Sequence, residues 1–248
     1  MNILKMEDWE FGVLQIHNPE NTTYKPYFDL VRHSEEVAGD IVEFGVWRGA
    51  SLITTALILS DLGSKKLVHG YDTFAGFPAK SKQDDFKNFS DMHQLGQISE
   101  SHFERINLNK KHLRASGKDT SVNEISSSLN FSATSQELVM GKIEYFGLKD
   151  KIELHTQDVS YLSTHDMPNQ ISVALLDLDL YQGYESVLPL VWDRLEPGGS
   201  IYLDEYYSLK FPGPRIAVDD FAERMNIKPE LICNWMDFER WSLKKSNI

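Results

Sequence analysis

Glu43 ends an apolar run and is followed by Gly45 and Gly49, an order of residues that can form a binding loop. A strand that passes through a glycine turn into a helix, here opening at Ser51, commonly holds a nucleotide-like cofactor. The glycines let the backbone turn tightly and approach a ligand closely. The sequence therefore predicts a cofactor-binding loop at this turn, and a plain strand-to-helix turn is the alternative.

The charge of Glu43 indicates which cofactor this loop suits. A carboxylate just before the first glycine would oppose a pyrophosphate bound at the helix N-terminus. S-adenosylmethionine instead carries a sulfonium and an ammonium group, which a carboxylate suits. Trp47 also stands where the dinucleotide pattern Gly-x-Gly-x-x-Gly requires a glycine. The sequence therefore favours S-adenosylmethionine.

Acids also end the second and third predicted strands. Asp72 stands where an acid in a nucleotide-binding fold accepts hydrogen bonds from ribose hydroxyls. The alternative is a turn cap, which aspartate provides readily. Asp158 ends the third strand, and we expect it to meet the exocyclic amine of adenine.

Further carboxylates follow the fourth and fifth predicted strands. Asp177 and Asp179 share one face at the end of the fourth strand, and Asp204 and Glu205 end the fifth. If Asp177, Asp204 and Glu205 converge at the sheet edge, they repel one another unless a cation or protons intervene. Oxygen ligands without a histidine or cysteine partner indicate Mg²⁺ rather than zinc. The alternative is ordinary pairing with basic side chains at the surface.

The eight histidines give a weaker signal, since none forms a His-Glu-x-x-His motif. His93, His102 and His112 lie in a polar segment where a base could be brought onto a bound alcohol. Our hypothesis is that His93 is the base that deprotonates the acceptor. The alternative for each of these histidines is an ordinary surface position.

Composition limits the class of protein. The 248 residues are 41% hydrophobic, which is enough to fold as one α/β domain of ordinary size. The net charge of -12 argues against a nucleic-acid partner, because phosphate backbones need a basic face. Cys233 is the single cysteine, so we expect a reducing, cytoplasmic location. We also expect no signal peptide, because residues 1–10 are too charged, and no membrane span, because the longest apolar run is too short.

From Asp40 onward, segments with the pattern of a strand alternate with segments that have the pattern of a helix. This alternation predicts a parallel sheet covered on both faces. The predicted strands are 41–44, 67–71, 152–156, 173–178 and 200–203, with two further β-like runs at 231–235 and 241–244. The predicted helices are 51–62, one that starts in a Thr134–Glu137 capping box and ends at Gly147, one from Tyr181 to the Pro197-Gly198-Gly199 turn, and one after Pro214.

The chain divides into a main domain over residues 39–248 and an N-terminal piece over residues 1–38. The N-terminal piece is expected to cover the site or to form a subunit interface, and its aromatic residues favour a homo-oligomer. Residues 79–133 are polar and interrupt the alternation of strands and helices. Because they leave the carboxyl end of a strand, we expect a lid over the ligand.

Four motifs in order resemble the macrocin O-methyltransferase family of class I methyltransferases. They are residues 39–49 (GDIVEFGVWRG), 71–78 (YDTFAGFP), 176–181 (LDLDLY) and 203–206 (LDEY). The resemblance implies a Rossmann-like, doubly wound, seven-stranded sheet with an antiparallel last strand. It also implies S-adenosylmethionine, a magnesium site and a small-molecule or glycan acceptor methylated on a sugar hydroxyl. The alternatives are a nicotinamide-dependent oxidoreductase of a nucleotide sugar and a non-catalytic cofactor-binding module.

The resemblance also implies roles for individual residues. The cofactor-binding residues expected are Glu43, Gly45, Trp47, Arg48, Gly49, Ser51, Asp72, Thr73, Phe74 and Asp158. The metal ligands expected are Asp177, Asp204 and Glu205, and Asp177 is also expected to act in catalysis beside His93. Glu205 departs from the family pattern, in which this position is usually aspartate.

Overall fold

The computed structural model describes residues 16–121, 124–126 and 128–246, and within them one seven-stranded sheet. The first fifteen residues of the predicted N-terminal piece lie outside the described residues. The strands are β1 Asp40–Phe44, β2 Val68–Asp72, β3 Ile152–Thr156, β4 Ile171–Leu176, β5 Leu195–Leu203, β6 Glu230–Trp235 and β7 Phe238–Lys244. Their order across the sheet is β3-β2-β1-β4-β5-β7-β6, with β7 antiparallel to both neighbours. The predicted fold class is confirmed.

The strand order explains where a ligand can bind. From β1 the chain builds outward through β2 and β3, then returns to β4 on the other side of β1. Phe44 at the end of β1 is paired with Leu176 at the end of β4. In open α/β sheets the ligand crevice lies outside the carboxyl ends of the strands at such a reversal.

Helices cover both faces of the sheet. They are α1 Lys25–His33, α2 Ala50–Asp61, α3 Asn88–Gln94, α4 Glu100–Ala115, α5 Gln136–Tyr145, α6 Tyr181–Arg194 and α7 Gly213–Met225. Apolar side chains of α1, α2 and α5 form one core against the sheet, and those of α6 and α7 form the other. All six residues of β4 are buried, as expected of a strand covered on both faces. No helix in the described ranges is long and apolar enough to cross a membrane.

Several element boundaries differ from the prediction, and β4 ends at Leu176, so Asp177 and Asp179 lie beyond the strand and not on one of its faces. The capping box at Thr134 is wrong: Ser135 caps α5 by accepting a hydrogen bond from the Leu138 N–H at 3.1 Å. Thr134 instead donates to the Trp47 carbonyl oxygen, at 2.5 Å, and so ties α5 to the glycine turn. The strand β5 begins at Leu195, so the Pro-Gly-Gly turn expected to end a helix lies within the strand.

The inserted residues 79–133 contain more helix than their polar composition predicts. Besides a short 3₁₀ turn over Lys82–Asp84, they form α3 and the sixteen-residue α4. Phe89 and Ile106 bury themselves in a small core of their own, against which Leu209 and Ile216 of the main domain pack. The segment is therefore a packed helical layer over the end of β5.

Candidate active site

One cavity of about 580 Å³ opens at the carboxyl ends of the strands. Among its walls are Gly45, Trp47, Ser51, Asp72, Thr73 and Asp158 from the predicted cofactor site, and Asp177, Asp204 and Glu205 from the predicted metal site. The structure thus brings most of both predicted sets into one space. Glu43, Arg48, Gly49, Phe74 and His93 are not among the wall residues.

Gly45 makes the closest backbone approach in the site. Its φ is +90°, and a Cβ at this position would lie 1.8 Å from the Asp177 carbonyl oxygen. Only a residue without a side chain fits between β1 and β4 here. Gly49, with a φ of +76°, is the N-cap of α2, and being glycine it offers no side chain to cap that helix.

Glu43 lies behind the cavity wall rather than in it. Its side chain is fully buried, and Oε1 accepts a hydrogen bond from the Ser51 hydroxyl at 2.6 Å. Burial raises the pKa of Glu43 well above its usual value. Oε2 is buried and finds no hydrogen-bond partner among the described residues. Glu43 is therefore linked to the cavity through Ser51, which lines it.

Asp72 combines the two roles weighed from the sequence. It lines the cavity, and its two carboxylate oxygens accept hydrogen bonds from the backbone N–H groups of Trp47 and Phe74, both at 2.7 Å. A carboxylate has about four acceptor sites, so capacity remains for ribose hydroxyls. Asp158 likewise lines the cavity while capping a 3₁₀ turn through the Ser160 N–H at 2.9 Å.

Arg48 supports the wall from outside. Its guanidinium lies over the Trp47 ring, 4.7 Å from the ring centroid, and its Nε donates to the Ala133 carbonyl oxygen at 2.9 Å. The Trp47 ring meets Phe131 edge-on at 5.5 Å. Arg48 therefore joins the glycine turn to the end of the inserted segment, a packing role that its position beside the glycines did not reveal.

The three predicted metal ligands do converge. Oxygens of Asp177, Asp204 and Glu205 lie within 4.8 Å of one another. Burial first, and then the Asp204 charge, raises the pKa of Asp177 to about 7. Burial also raises the pKa values of Asp204 and Glu205. Crowded carboxylates that resist ionisation fit a hard divalent cation, which would neutralise them.

Three side chains around this cluster were not found from the sequence. Tyr24 donates its hydroxyl to Asp177 Oδ2 at 2.5 Å, and Tyr184 donates to Glu205 Oε2 at 2.6 Å. Arg240 on β7 pairs with Asp204 at 3.6 Å. Tyr24 is 153 residues from its partner in sequence, so no local pattern could have indicated the contact.

Asp179 is a fourth acid in the cavity wall. It adopts a φ of +58°, an uncommon conformation for a residue other than glycine. Burial, followed by the charge of Asp177, raises the pKa of Asp179, and Lys210 in the same wall opposes this effect. A half-buried acid with this uncommon backbone conformation in a cavity wall is a candidate functional position.

The structure does not bring His93 to the cavity. Its ring stacks on Phe103 with centroids 4.2 Å apart, and its Nε2 lies 2.8 Å from a Glu100 carboxylate oxygen. His17 of the N-terminal piece does line the cavity. Its backbone N–H donates to Thr54 Oγ1 on α2, and burial lowers its pKa.

The strand order, the glycine turn after β1 and the acids at the next strand ends define the class of Rossmann-like methyltransferases. The O-methyltransferase NovP superposes with a TM-score of 0.63 at 20% identity, covering 90% of this chain and 80% of that one. The calicheamicin methyltransferase CalS11 superposes with a TM-score of 0.65 at 19% identity, covering 100% and 88%. At these identities the superpositions show the fold.

The sequence assigns the chain within that class. The profile of the macrocin-O-methyltransferase family, TylF, matches residues 28–117 and 103–239, so the chain belongs to this family. Mycinamicin III 3''-O-methyltransferase of Micromonospora griseorubida is 28% identical over 204 residues, which is 79% of this chain. The match spans 65% of that enzyme's length. The resemblance drawn from the four motifs is confirmed, and it gives no support to the oxidoreductase alternative.

Proposed function

We propose that this chain is an S-adenosylmethionine-dependent, magnesium-assisted O-methyltransferase. Its acceptor is a hydroxyl of a sugar, a sugar-containing natural product or a polysaccharide precursor. One observation carries the proposal: the glycine turn at Gly45 and the Asp177 cluster share one cavity. A donor held at the turn would therefore face an acceptor held at the carboxylates.

The donor end is built for a cationic nucleoside. S-adenosylmethionine, when bound, supplies a methyl group on a positively charged sulfur. Gly45 lets the backbone approach a ligand, and Asp72 and Asp158 would hold the ribose hydroxyls and the adenine amine. Glu43 would act on the ammonium group from behind the wall through Ser51, whose hydroxyl it holds.

The acceptor end uses the carboxylates of Asp177, Asp204 and Glu205 to hold the ion. Mg²⁺, when bound, supplies Lewis acidity that lowers the pKa of the acceptor hydroxyl. Tyr24 and Arg240 fix the orientation of the ligands through their contacts with Asp177 and Asp204.

The proton of the acceptor hydroxyl passes to Asp179 in this proposal. Asp179 lies in the cavity wall two residues after Asp177, so its carboxylate would stand beside the ion as the proton acceptor. Lys210 lies in the same wall and compensates the charge of the ionised form. His93 has no part in the proposal, because it pairs with Glu100 outside the cavity.

The acceptor class follows from the walls and from the family. Trp47, Phe77 and Phe131 supply apolar surface opposite the charged groups, which suits the faces of a sugar ring or an attached aglycone. The relative named above methylates a 3''-hydroxyl of mycinamicin III by its name. We extend this methylation of a sugar hydroxyl to a glycoside acceptor of the present chain. We also propose that the enzyme is cytoplasmic and that it forms a homo-oligomer.

The test is methyl transfer from labelled S-adenosylmethionine to a panel of nucleotide sugars, glycosylated macrolides and catechols. We expect a sugar acceptor to be methylated, with turnover stopped by chelator and restored by Mg²⁺. Asp204→Asn should abolish turnover, while Asp193→Asn, an exposed acid on α6, should leave it unchanged. Activity that persists in excess chelator would remove the metal from the mechanism, and transfer only to catechols would contradict the sugar acceptor.

A further inference from the structure

A second cluster of metal-ligating side chains lies on the sheet away from the cavity. His69 on β2 is paired in register with Glu153 on the edge strand β3, and His155 follows two residues later on the same face. One potential ligand atom from each of the three lies within 4.8 Å of the others. We propose that this cluster is a second metal site, which binds a transition-metal ion such as Zn²⁺.

The donor set indicates the kind of ion. Two imidazoles and one carboxylate are a borderline ligand set that suits zinc, nickel or copper, unlike the oxygen-only cluster in the cavity. The Nε2 of His155 is buried and has no hydrogen-bond partner among the described residues. The site therefore offers a donor that the protein itself does not use.

His69 already has the outer partner that zinc-bound histidines usually have. Its Nε2 lies 3.4 Å from Asp40 Oδ2, and its Nδ1 lies 3.4 Å from Glu153 Oε2. Asp40 is fixed in turn, because its Oδ1 accepts from the Leu67 backbone N–H at 2.9 Å. A carboxylate on one ring nitrogen orients the other nitrogen toward a metal. Here Nδ1 would be the ligand.

Side-chain movements are needed to close the site, because the rings of His69 and His155 lie nearly parallel with centroids 5.8 Å apart. Ligands on a tetrahedral zinc are about 3.4 Å apart, so the present separations of up to 4.8 Å must shrink. Glu153 can rotate inward because its side chain is 54% exposed, and water can take the fourth position. The ion would then join β3 to β2, its neighbour in the part of the sheet that the structure describes. A bridged edge strand would hold Asp158, just beyond β3, more firmly.

The test measures zinc binding to the untagged protein by calorimetry and by thermal unfolding. Excess Mg²⁺ is present in both experiments to fill the proposed ion site in the cavity. We expect one Zn²⁺ per chain and a rise in Tm. The ring of His155 stacks on that of Tyr71, with centroids 4.5 Å apart, and a phenyl ring can keep this contact. His155→Phe should therefore weaken zinc binding at least tenfold and remove the rise in Tm. His165→Gln, an exposed histidine, and Asp204→Asn in the cavity should both bind zinc as the wild type does.

Glu153→Gln provides a second variant at an exposed side chain, so the test does not depend on how well His155→Phe folds. Co²⁺ adds an independent readout, since nitrogen-ligated tetrahedral cobalt absorbs strongly in the visible range. Absence of zinc binding, or equal zinc binding by wild type, His155→Phe and Glu153→Gln, would overturn the proposal. Loss of zinc binding in Asp204→Asn alone would assign the ion to the cavity instead.

Discussion

The backbone of Gly45 lies against that of Asp177, so the donor and metal ends of the cavity meet at a contact that tolerates no side chain. We predict that Gly45→Ala costs about 3 kcal/mol or more, because it combines a clash with a positive φ. Chemical denaturation and S-adenosylhomocysteine binding measure the effect, and both should be impaired. Gly63→Ala is the matched control, since its φ is +67° and nothing lies within 4 Å of its Cβ. It should cost only about 1 kcal/mol, and equal losses would show that the contact with Asp177 is unimportant.

The hydroxyl of Tyr24 links the N-terminal piece to the carboxylate cluster. Its hydrogen bond lowers the pKa of Asp177, against the larger effect of burial, and so favours the ionised form that a metal requires. We predict that Tyr24→Phe weakens Mg²⁺ binding by about 10- to 100-fold, the usual effect of losing such a partner. Calorimetric Mg²⁺ titration tests this. Tyr161→Phe, at a side chain 81% exposed, should bind as the wild type does, and unchanged affinity in Tyr24→Phe would refute the role.

At the scale of elements, the inserted segment is tied to the site through Asp84. Its Oδ1 accepts from the first N–H of α6, at Tyr181, at 2.8 Å, and its Oδ2 accepts from Ser81. We predict that Asp84→Ala lowers the free energy of unfolding by about 1–3 kcal/mol, because the half-buried N–H of Tyr181 loses its partner. Urea denaturation measures this. Asp85→Ala, which loses only a half-exposed ion pair, should cost less than about 1 kcal/mol; a similar cost for both would contradict the capping role.

The helix α4 is anchored by a buried histidine. His102 donates from Nε2 to the Ser208 carbonyl oxygen at 2.9 Å and stacks on Tyr207, and burial lowers its pKa to about 4. Between pH 4 and 6.5 the unfolded chain therefore binds more protons than the folded one, so stability falls as the pH falls through this range. Between pH 7 and pH 5, the titration of His102 lowers the free energy of unfolding by about 2 kcal/mol.

Denaturation at pH 7 and pH 5 tests this anchoring. In His102→Phe the difference in the free energy of unfolding between the two pH values should be smaller than in the wild type, by the amount given above. His112→Gln, an exposed histidine on the same helix, should keep the wild-type difference. A wild-type pH dependence in His102→Phe would show that another group is responsible for the acid sensitivity.

At the scale of the whole molecule, the sequence predicted what is local in the chain. The strand ends after β1, β2, β4 and β5 were found because each carries an acid or a glycine at the end of an apolar run. The topology then brought them together, since the carboxyl ends of neighbouring parallel strands share an edge. Their convergence in one cavity followed from the motifs and the fold class alone.

Contacts between distant parts of the chain escaped prediction. Tyr24 and Arg240 reach the carboxylate cluster from opposite ends of the sequence, and neither belongs to a motif. Polar residues dominate α4, and its buried side chains are only His102, Ile106 and Leu113, so its apolar pattern is too weak to predict a helix. His93 was chosen by residue type within the insertion, but type carries no information on direction, and the side chain faces Glu100.

The central claim is that one cavity holds the donor beside Gly45 and the metal beside Asp177. Calorimetric titration with S-adenosylhomocysteine and, separately, with Mg²⁺ tests it most directly, in wild type, Asp72→Ala and Asp204→Asn. We predict that Asp72→Ala loses nucleoside binding while Asp204→Asn keeps it, and that Asp204→Asn loses Mg²⁺ binding. A wild-type protein with no affinity for S-adenosylhomocysteine would contradict the account.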